Sequence, residues 1–238
     1  MTVRSARRRG AVVLLSGGMD SATCLWIARQ HDSPVHALSV RYGQRHSQEI
    51  ASARALARRA GVARHVEIDL PIGPWLDSSL TDRRRRIPRG RAGSRRIPST
   101  YVPARNTILL ALALAYAESE GLDSIYLGAN AIDYSGYPDC RPAFLRAFER
   151  VAREGTRRGI QGGRPIRVRA PLVRMSKAQI VRAGERLHVP WALTWSCYAG
   201  GRRSCGRCDS CRLRAMGVAG AGVVDPAVGA PRRLTRSG

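Results

Sequence analysis

The sequence contains very little lysine, asparagine and phenylalanine. Of its 41 basic residues only Lys177 is a lysine, and the chain has two asparagines and two phenylalanines. Arginine, alanine and glycine are abundant instead, which is the composition that GC-rich codons produce. Arginine at solvated positions therefore explains the formal net charge of +24. Because few aromatic residues stand between the arginines, no stacking platform for single strands is indicated, and we expect no specific nucleic-acid partner.

Long apolar runs are absent as well. No apolar stretch approaches the roughly 18 residues that a membrane-spanning helix needs, so we expect no membrane contact. Residues 1–10 are basic but lead directly into a short predicted strand, which is not the pattern of a signal peptide. We therefore expect a cytoplasmic protein. A chain of 238 residues suits one large α/β domain with a small appendage.

One stretch near the N-terminus predicts a strand, a glycine turn and a helix. Residues 12–15 are apolar, Gly17 and Gly18 follow, and Asp20 and Ser21 stand where caps of a helix N-terminus are expected. Such a turn directs free N–H groups and the positive end of the helix dipole at one point, which suits pyrophosphate. No lysine follows the glycines, so the GxxxxGK[ST] loop is excluded. An ordinary strand–helix connection is the alternative.

Strand and helix patterns alternate along most of the chain, which predicts a doubly wound, parallel, five-stranded sheet. The predicted strands are residues 12–15, 34–40, 65–69, 124–128 and 166–170. The predicted helices are residues 21–29, 47–60, 107–120 and 142–155, with another that begins at Ser176 as its cap. Ligands of such sheets bind at the carboxyl ends of the strands.

Polar residues cluster where two predicted strands end. Tyr42, Gln44 and His46 follow the second strand, although His46 could equally be a surface histidine. The fourth strand is followed by a loop that is rich in hydrogen-bonding side chains. These side chains indicate that the loop binds a purine-like ligand rather than serving only to pack against the core. The loop's candidate residues are Asn130, Asp133, Tyr134, Ser135, Tyr137 and Asp139.

Two cationic positions and one basic segment add to this picture. Arg105 stands at the start of the most apolar helix, where its donors could hold phosphate or carboxylate. Lys177 follows a predicted strand at a helix N-terminus, which suggests a required ammonium group, although chance survival at the surface is the alternative. Residues 83–96 are rich in glycine, arginine and proline, and form either a solvated loop or a cationic flap.

Four cysteines near the C-terminus have the spacing of a metal site. Cys197, Cys205, Cys208 and Cys211 form Cys-x7-Cys-x2-Cys-x2-Cys, which can surround a tetrahedral ion. Zinc is favoured, and a closed four-cysteine site would be structural. An iron–sulfur cluster or an unliganded redox set is the alternative, but Arg212 stands where the ferredoxin pattern needs proline. Of the two other cysteines, Cys24 is expected in the core and Cys140 is undecided.

Several motifs in a fixed order resemble those of the QueC family of the queuosine pathway, over residues 10–225. The SGGMDS stretch by itself resembles the pyrophosphate loop of the wider PP-loop superfamily, which cleaves ATP between the α and β phosphates. The set is SGGMDSATCL, RYGQRH, TYVPARNTILLALALAYAE, GANAIDYSGYPDCRPAF, APLVRMSKAQI and TWSCYAGGRRSCGRCDSCRLRAMG. The sequence departs from the family in the length and charge of residues 83–96 and in lacking an aromatic residue at 216–218.

The resemblance implies a Rossmann-like fold of the adenine nucleotide alpha hydrolase type. It implies a nucleotide-binding domain over residues 10–190, a zinc-binding subdomain over 191–225 and a disordered tail over 226–238. The implied enzyme is an ATP-dependent ligase that converts 7-carboxy-7-deazaguanine and ammonia to 7-cyano-7-deazaguanine through two adenylations. ATP with Mg²⁺, one Zn²⁺ per subunit and a homodimer are expected. Free ammonia is expected as the nitrogen source because the chain has no glutaminase region.

The resemblance also assigns roles to residues. Asp20, Ser21, Lys177 and Arg105 would be catalytic, and Tyr42, Gln44, Asp133, Tyr137 and Asp139 would contact the substrate. Nucleotide binding would fall to Leu15, Ser16, Gly17, Gly18, Met19, Asp20, Ser21, Ala22, Thr23, Cys24 and Leu25. A related ligase for another deazapurine carboxylate, a tRNA-thiolation-type protein and a zinc-stabilised structural module are the alternatives.

Overall fold

The computed structural model describes residues 9–44, 48–82, 84–88, 97–132, 136–201 and 203–226. Its centre is a sheet of five parallel strands in the order β3-β2-β1-β4-β5. The strands are β1 (Ala11–Leu14), β2 (Val35–Arg41), β3 (Arg64–Asp69), β4 (Ser124–Tyr126) and β5 (Arg167–Arg169). The predicted fold class is confirmed, although β4 and β5 are each shorter than their apolar runs suggested.

Helices cover both faces of this sheet. They are α1 (Met19–His31), α2 (Gln48–Ala60), α3 (Arg105–Ser119), α4 (Pro142–Glu154), α5 (Arg157–Ile160), α6 (Lys177–Arg186) and α7 (Asp209–Ala221). Short 3₁₀ turns lie at Gly73–Trp75, Pro138–Cys140 and Trp191–Leu193. No helix among these described residues is long and apolar enough to cross a membrane.

Two separate cores form because β1 is buried on both faces. Val13 faces a cluster built with α1, α2, α6 and α7, whereas Val12 and Leu14 face a cluster built with α3 and α4. Side chains of a strand alternate between the faces of a sheet, so a continuous apolar run is what a doubly covered strand requires. The run at residues 12–15 therefore predicted the position of β1 correctly.

The sheet order places a crevice beside β1. This strand pairs with β2 on one side and with β4 on the other, so the connections leave in opposite directions at its carboxyl end. Such a switch point is where open α/β sheets bind ligands. Gly128, just after β4, lies so close to the first turn of α1 that a β-carbon there would be 3.0 Å from the backbone nitrogen of Ser21. The two strand ends therefore share one wall of the crevice.

The C-terminal residues pack on this sheet assembly through α7. Val218 belongs to the same core as Trp191, and the long face of α7 lies along α6. The guanidinium of Arg214 is buried and donates to the Asp225 carboxylate at 2.6 and 2.9 Å and to the Thr194 hydroxyl at 2.7 Å. These bonds fix α7 to the segment that precedes the cysteines.

The long connection between β3 and α3 is buried in part on either side of the basic segment. Leu80 and Val102 are buried against Tyr42, and Ser78 and Ser79 are also buried. Arg83 and residues 89–96 lie outside the described residues. The same is true of residues 227–238, nearly all of the predicted tail.

Candidate functional site

The glycine loop, residues 15–21, is closed by one serine. The Ser21 hydroxyl donates to the Gly18 carbonyl at 3.1 Å and accepts from the Ser16 backbone N–H at 3.2 Å. Helix α1 begins at Met19 with Gly18 as its N-cap and without a side-chain cap. The prediction that Asp20 and Ser21 cap the helix is therefore wrong, because both lie inside its first turn. No side chain caps the N–H groups of this first turn, and such uncapped groups at a helix N-terminus suit an anionic ligand.

Gly17 cannot carry a side chain in this loop. Its φ is +84°, and a β-carbon on it would lie 2.3 Å from the carbonyl oxygen of Glu49. The loop therefore rests directly on the first turn of α2. Glycine is needed both for the left-handed backbone and for this close approach.

Asp20 forms a charged cluster with residues from two distant parts of the chain. The Lys177 ammonium donates to Asp20 Oδ2 at 2.5 Å, and the Asn130 amide donates to the same oxygen at 3.2 Å. The side chains of Lys177 and Asp20 are 15% and 23% exposed. Asp20 Oδ1 is buried and makes no hydrogen bond to any described residue. An unpaired buried carboxylate oxygen is the type of ligand that Mg²⁺ prefers, so the residues fit a bound magnesium ion.

A capping box positions Lys177. The Ser176 hydroxyl accepts from the Gln179 N–H at 3.3 Å, and the Gln179 side chain accepts from the Ser176 N–H at 2.8 Å. The predicted cap at Ser176 is confirmed. Because the box fixes the first turn of α6, the lysine that opens the helix extends from a defined point toward Asp20.

Gly217 on α7 lies against the other side of Lys177. A β-carbon on Gly217 would be 2.9 Å from Lys177 Cβ and 3.3 Å from its carbonyl oxygen. Three residues further along the same helix, a β-carbon on Gly220 would be 3.1 Å from Ala178 Cβ. The helix that contains Cys211 therefore determines how far Lys177 can retreat from Asp20.

Gly217→Ala is expected to lower kcat about tenfold, because it would displace Lys177, which the sequence predicts to be catalytic, and a misplaced group loses rate steeply with distance. The KM for the nucleotide that is expected at the glycine loop should stay within about threefold, since that loop is untouched. Gly220→Ala is the matched control, because it crowds the same helix pair one turn along α7 and meets Ala178 instead of Lys177. Steady-state kinetics of both variants test this. Equal losses in the two variants would mean that helix packing alone is responsible.

A central cavity of about 230 Å³ opens between the glycine loop and the carboxyl ends of β1, β2 and β4. Apolar side chains form one part of its wall: Leu14, Leu38, Val40, Leu109 and Leu127. Polar and charged side chains also line it, among them Asp20 and Lys177 from the glycine loop and α6, and Arg105, Tyr42 and Glu49. A slot with apolar walls and few polar groups suits a flat aromatic ring.

Arg105, Tyr42 and Glu49 form an electrostatic group in this cavity. Burial raises the pKa of Glu49 to about 7, and the Arg105 charge opposes that rise. Burial also raises the pKa of Tyr42, whereas Arg105 opposes that rise through its charge and by donating a hydrogen bond to the Tyr42 oxygen. Sequence reasoning missed Glu49. The available signal was its place in the first turn of the helix that follows the predicted Tyr42–Gln44 loop.

The other predicted substrate residues divide into those that reach the cavity and those that do not. Tyr137 lines it, and its hydroxyl lies 3.0 Å from that of Thr100. Gln44 lines it too, but its side chain also shapes the loop, since it accepts from the Tyr42 N–H at 2.7 Å. Asp133 and His46 lie outside the described residues.

Asp139, another predicted substrate contact, lies buried beside the start of α3. Its buried carboxylate accepts from the Asn106 backbone N–H at 2.8 Å, and the Asn106 amide donates to Cys140 Sγ at 3.0 Å. This oxygen satisfies a free N–H at the start of α3, where Ala104 offers no side-chain cap. Asp139 is absent from the cavity wall and supports the helix that carries Arg105.

The predicted nucleotide stretch of residues 15–25 is also narrower than expected. Leu15, Ser16, Gly18, Met19, Asp20 and Ser21 line the cavity. Ala22, Thr23, Cys24 and Leu25 are fully buried in the core under α1, as was expected for Cys24. Burial raises the pKa of the Cys24 thiol beyond its ordinary range, which fits an inert core residue.

The four C-terminal cysteines come together as their spacing predicted. The Sγ atoms of Cys197, Cys205, Cys208 and Cys211 all lie within 4.8 Å of one another. Four sulfurs around zinc would be about 3.8 Å apart, given Zn–S bonds of about 2.3 Å, and the Cys205–Cys211 separation is 4.0 Å. Backbone N–H groups donate to two of the sulfurs at 3.3 to 3.4 Å, which stabilises thiolates. The cluster could hold a metal ion, and its donor set fits zinc.

Comparisons with known proteins agree over nearly the whole chain. The family described as "Queuosine biosynthesis protein QueC" matches residues 10–222. The 7-cyano-7-deazaguanine synthase of Anaeromyxobacter sp. (strain Fw109-5) is 56% identical over 95% of this chain and 97% of that protein. The synthase of Nostoc punctiforme is 49% identical over 92% of this chain and 98% of that protein. Among solved structures, NMN synthetase from Francisella tularensis matches with a TM-score of 0.49 at 16% identity, over 92% of this chain and 79% of that one.

Proposed function

The chain belongs to the QueC family, and we propose that the central cavity is where it carries out that family's ligation. It is an ATP-dependent carbon–nitrogen ligase of queuosine biosynthesis that forms 7-cyano-7-deazaguanine. The observation that carries the placement is the cluster of Asp20, Lys177 and Asn130 beside the open N-terminus of α1. It supplies charge where pyrophosphate would leave.

The glycine loop is assigned to the nucleotide. Its free N–H groups and the helix dipole would hold the phosphates, and Lys177 would add a point charge as negative charge develops on the leaving pyrophosphate. Mg²⁺ at the unpaired oxygen of Asp20 would neutralise charge on the phosphates. Ser21 keeps the loop closed through its bonds to Ser16 and Gly18.

The part of the cavity beyond the loop is assigned to the deazapurine. Leu38, Val40 and Leu127 would contact the ring faces, and Arg105 would hold the carboxylate of 7-carboxy-7-deazaguanine near the α-phosphate. That arrangement places both reacting groups without a covalent nucleophile from the protein. Tyr42 and Tyr137 line the same end and would orient the ring.

The chemistry then needs two activations of one carbon. The substrate carboxylate attacks the α-phosphate, pyrophosphate leaves, and an acyl-adenylate forms. Ammonia displaces AMP from it to give the amide and loses one proton. The amide oxygen attacks a second ATP in the same way, and loss of AMP with the remaining N–H protons leaves the nitrile. Free ammonia is proposed because no part of this chain is assigned to glutamine hydrolysis.

The cysteine cluster is proposed to bind one Zn²⁺ per subunit in a structural role. Four thiolates complete a tetrahedral shell and leave no position for water, so the metal would hold residues 197–211 together. Helix α7, which contains Cys211, contacts Lys177 through Gly217.

Incubating the protein with 7-carboxy-7-deazaguanine, ammonia and ATP should yield the nitrile, with AMP and pyrophosphate as co-products. Mass spectrometry of the product and chromatography of the nucleotides measure this directly. Omitting ammonia is the matched control and should stop the reaction at the adenylate. ADP as the nucleotide product, or an amide that is never converted further, would contradict the proposed reaction.

A further inference from the structure

Two carboxylates from the described part of the chain line the central cavity, and they lie in different settings. Asp20 is held by Lys177 and Asn130 at the glycine loop. Glu49 comes from the first turn of α2 and interacts electrostatically with Arg105. The proposed phosphate chemistry uses Asp20 and leaves Glu49 without a role.

The backbone of Glu49 is fixed at the reacting end of the cavity. A β-carbon on Gly17 would lie 2.3 Å from the carbonyl oxygen of Glu49, so the first turn of α2 packs directly on the glycine loop. The Glu49 side chain lines the same cavity as that loop and interacts electrostatically with Arg105, the group assigned to the substrate carboxylate. Glu49 is therefore placed near the carbon that is adenylated, and near the nitrogen that becomes bonded to that carbon.

The reaction releases protons from that nitrogen at two stages. When ammonia attacks the acyl-adenylate, a C–N bond forms, the C–O bond to AMP breaks, and the nitrogen must lose a proton. When the adenylated amide collapses, a further C–N bond forms as AMP leaves, and the remaining N–H protons must go. A base beside the nitrogen would accelerate both stages, typically by about 10²–10⁴-fold.

We propose that Glu49 is a catalytic residue that accepts these protons from the substrate nitrogen. This inference rests on the proposed function and adds the proton acceptor that the reaction requires. The other polar groups around Glu49 are poorly suited to the task. Arg105 stays charged, and burial raises the pKa of Tyr42 above its ordinary value, so that its hydroxyl keeps its proton near neutral pH.

The ionisation of Glu49 agrees with this role. With a pKa raised to about 7 by burial, the carboxylate can accept a proton and release it again near neutral pH. The raised folded-state value also means that stability is favoured at low pH and falls as pH rises through about 7. Glu49→Gln removes the free-energy cost of keeping a charged carboxylate buried above that pH. The variant should therefore melt at or above the wild-type temperature at about pH 8.

The test uses the amide, 7-amido-7-deazaguanine, with ATP, so that the supply of ammonia does not affect the rate. Glu49→Gln should lower kcat for nitrile formation about 100-fold or more, with KM for the amide changed by less than about threefold. The wild-type kcat should rise with pH through about 7, and this rise should be missing in the variant. Glu49→Asp, which keeps a carboxylate, should recover part of the rate.

Three outcomes would overturn the inference or its premise. If the Glu49→Gln variant keeps kcat within about threefold of wild type, Glu49 is not the base. A rise in KM at unchanged kcat would show that Glu49 recognises the deazapurine instead. Wild-type protein that forms no nitrile from either substrate would refute the proposed function itself, which distinguishes that failure from a wrong role for Glu49.

Discussion

Lys177→Ala is expected to lower kcat about 10³-fold, with the protein still folded. The ammonium group lies 2.5 Å from Asp20 Oδ2 at the end of the glycine loop, where negative charge would develop as pyrophosphate leaves. A preorganised charge in such a partly buried place is worth far more than it would be in water. The measurement is steady-state turnover to AMP, with circular dichroism and thermal melting to confirm folding.

A double variant separates catalysis from simple charge balance. Lys177→Ala leaves the Asp20 carboxylate partly buried without its cation, which could destabilise the loop. Asp20→Asn combined with Lys177→Ala removes both charges, so it should recover stability and yet remain inactive. Arg186→Ala, at an exposed position of the same helix, is the matched control and should turn over normally. Recovery of turnover in the double variant would show that the pair is only structural.

Features carried by local sequence were predicted well. A doubly buried strand needs a continuous apolar run, and residues 12–15 form one, so β1 and the glycine turn after it could be identified. The Ser176–Gln179 capping box and the cysteine spacing are likewise short-range patterns with one physical meaning. The lone Lys177 stood out because arginine occupies every other basic position except histidine.

Features that depend on long-range packing were not predicted. Asp139 looked like a ligand contact because it follows a strand, yet it accepts from the N–H of Asn106, 33 residues earlier in the chain and at the start of a helix. The sequence around Asp139 does not show that a backbone N–H elsewhere in the chain requires an acceptor. The closeness of Glu49 to Gly17, and of Gly217 to Lys177, also arises only when separate elements approach to a few ångströms.

The C-terminal cysteines and the cavity are joined mechanically by α7. This helix begins directly after Cys208, contains Cys211 and Arg214, and then passes Gly217 across Lys177. The buried Arg214 ties its middle to Thr194 and Asp225. A disturbance at the cysteines should therefore reach the charged cluster through one rigid element about three turns long.

Cys208→Ser is expected to abolish metal binding, lower Tm by about 10 °C or more and reduce turnover strongly. Structural zinc sites of this kind contribute about 10–16 kcal/mol, and each kcal/mol shifts Tm by roughly 2–4 °C for a chain of this size. Loss of even a third of that contribution gives the expected change. Turnover falls as well because α7 would no longer hold Lys177 against Asp20. Elemental analysis, thermal melting and AMP formation measure the three effects.

The chain offers its own control for this prediction in the two cysteines outside the cluster. Cys24→Ala removes a buried thiol from the core without touching the four sulfurs, so it should keep one metal ion per chain and most of its activity. Removing the metal from the wild type with a chelator should lower Tm and turnover as Cys208→Ser does, because in both cases the cysteine cluster no longer holds a metal ion. A Cys208→Ser protein that retained the metal and the wild-type Tm would contradict the structural role.

The identity of the metal is a separate question. Iron with visible absorbance in the wild-type protein would refute zinc as the bound ion, but the contact of α7 with Lys177 would still connect the cysteine cluster to the cavity.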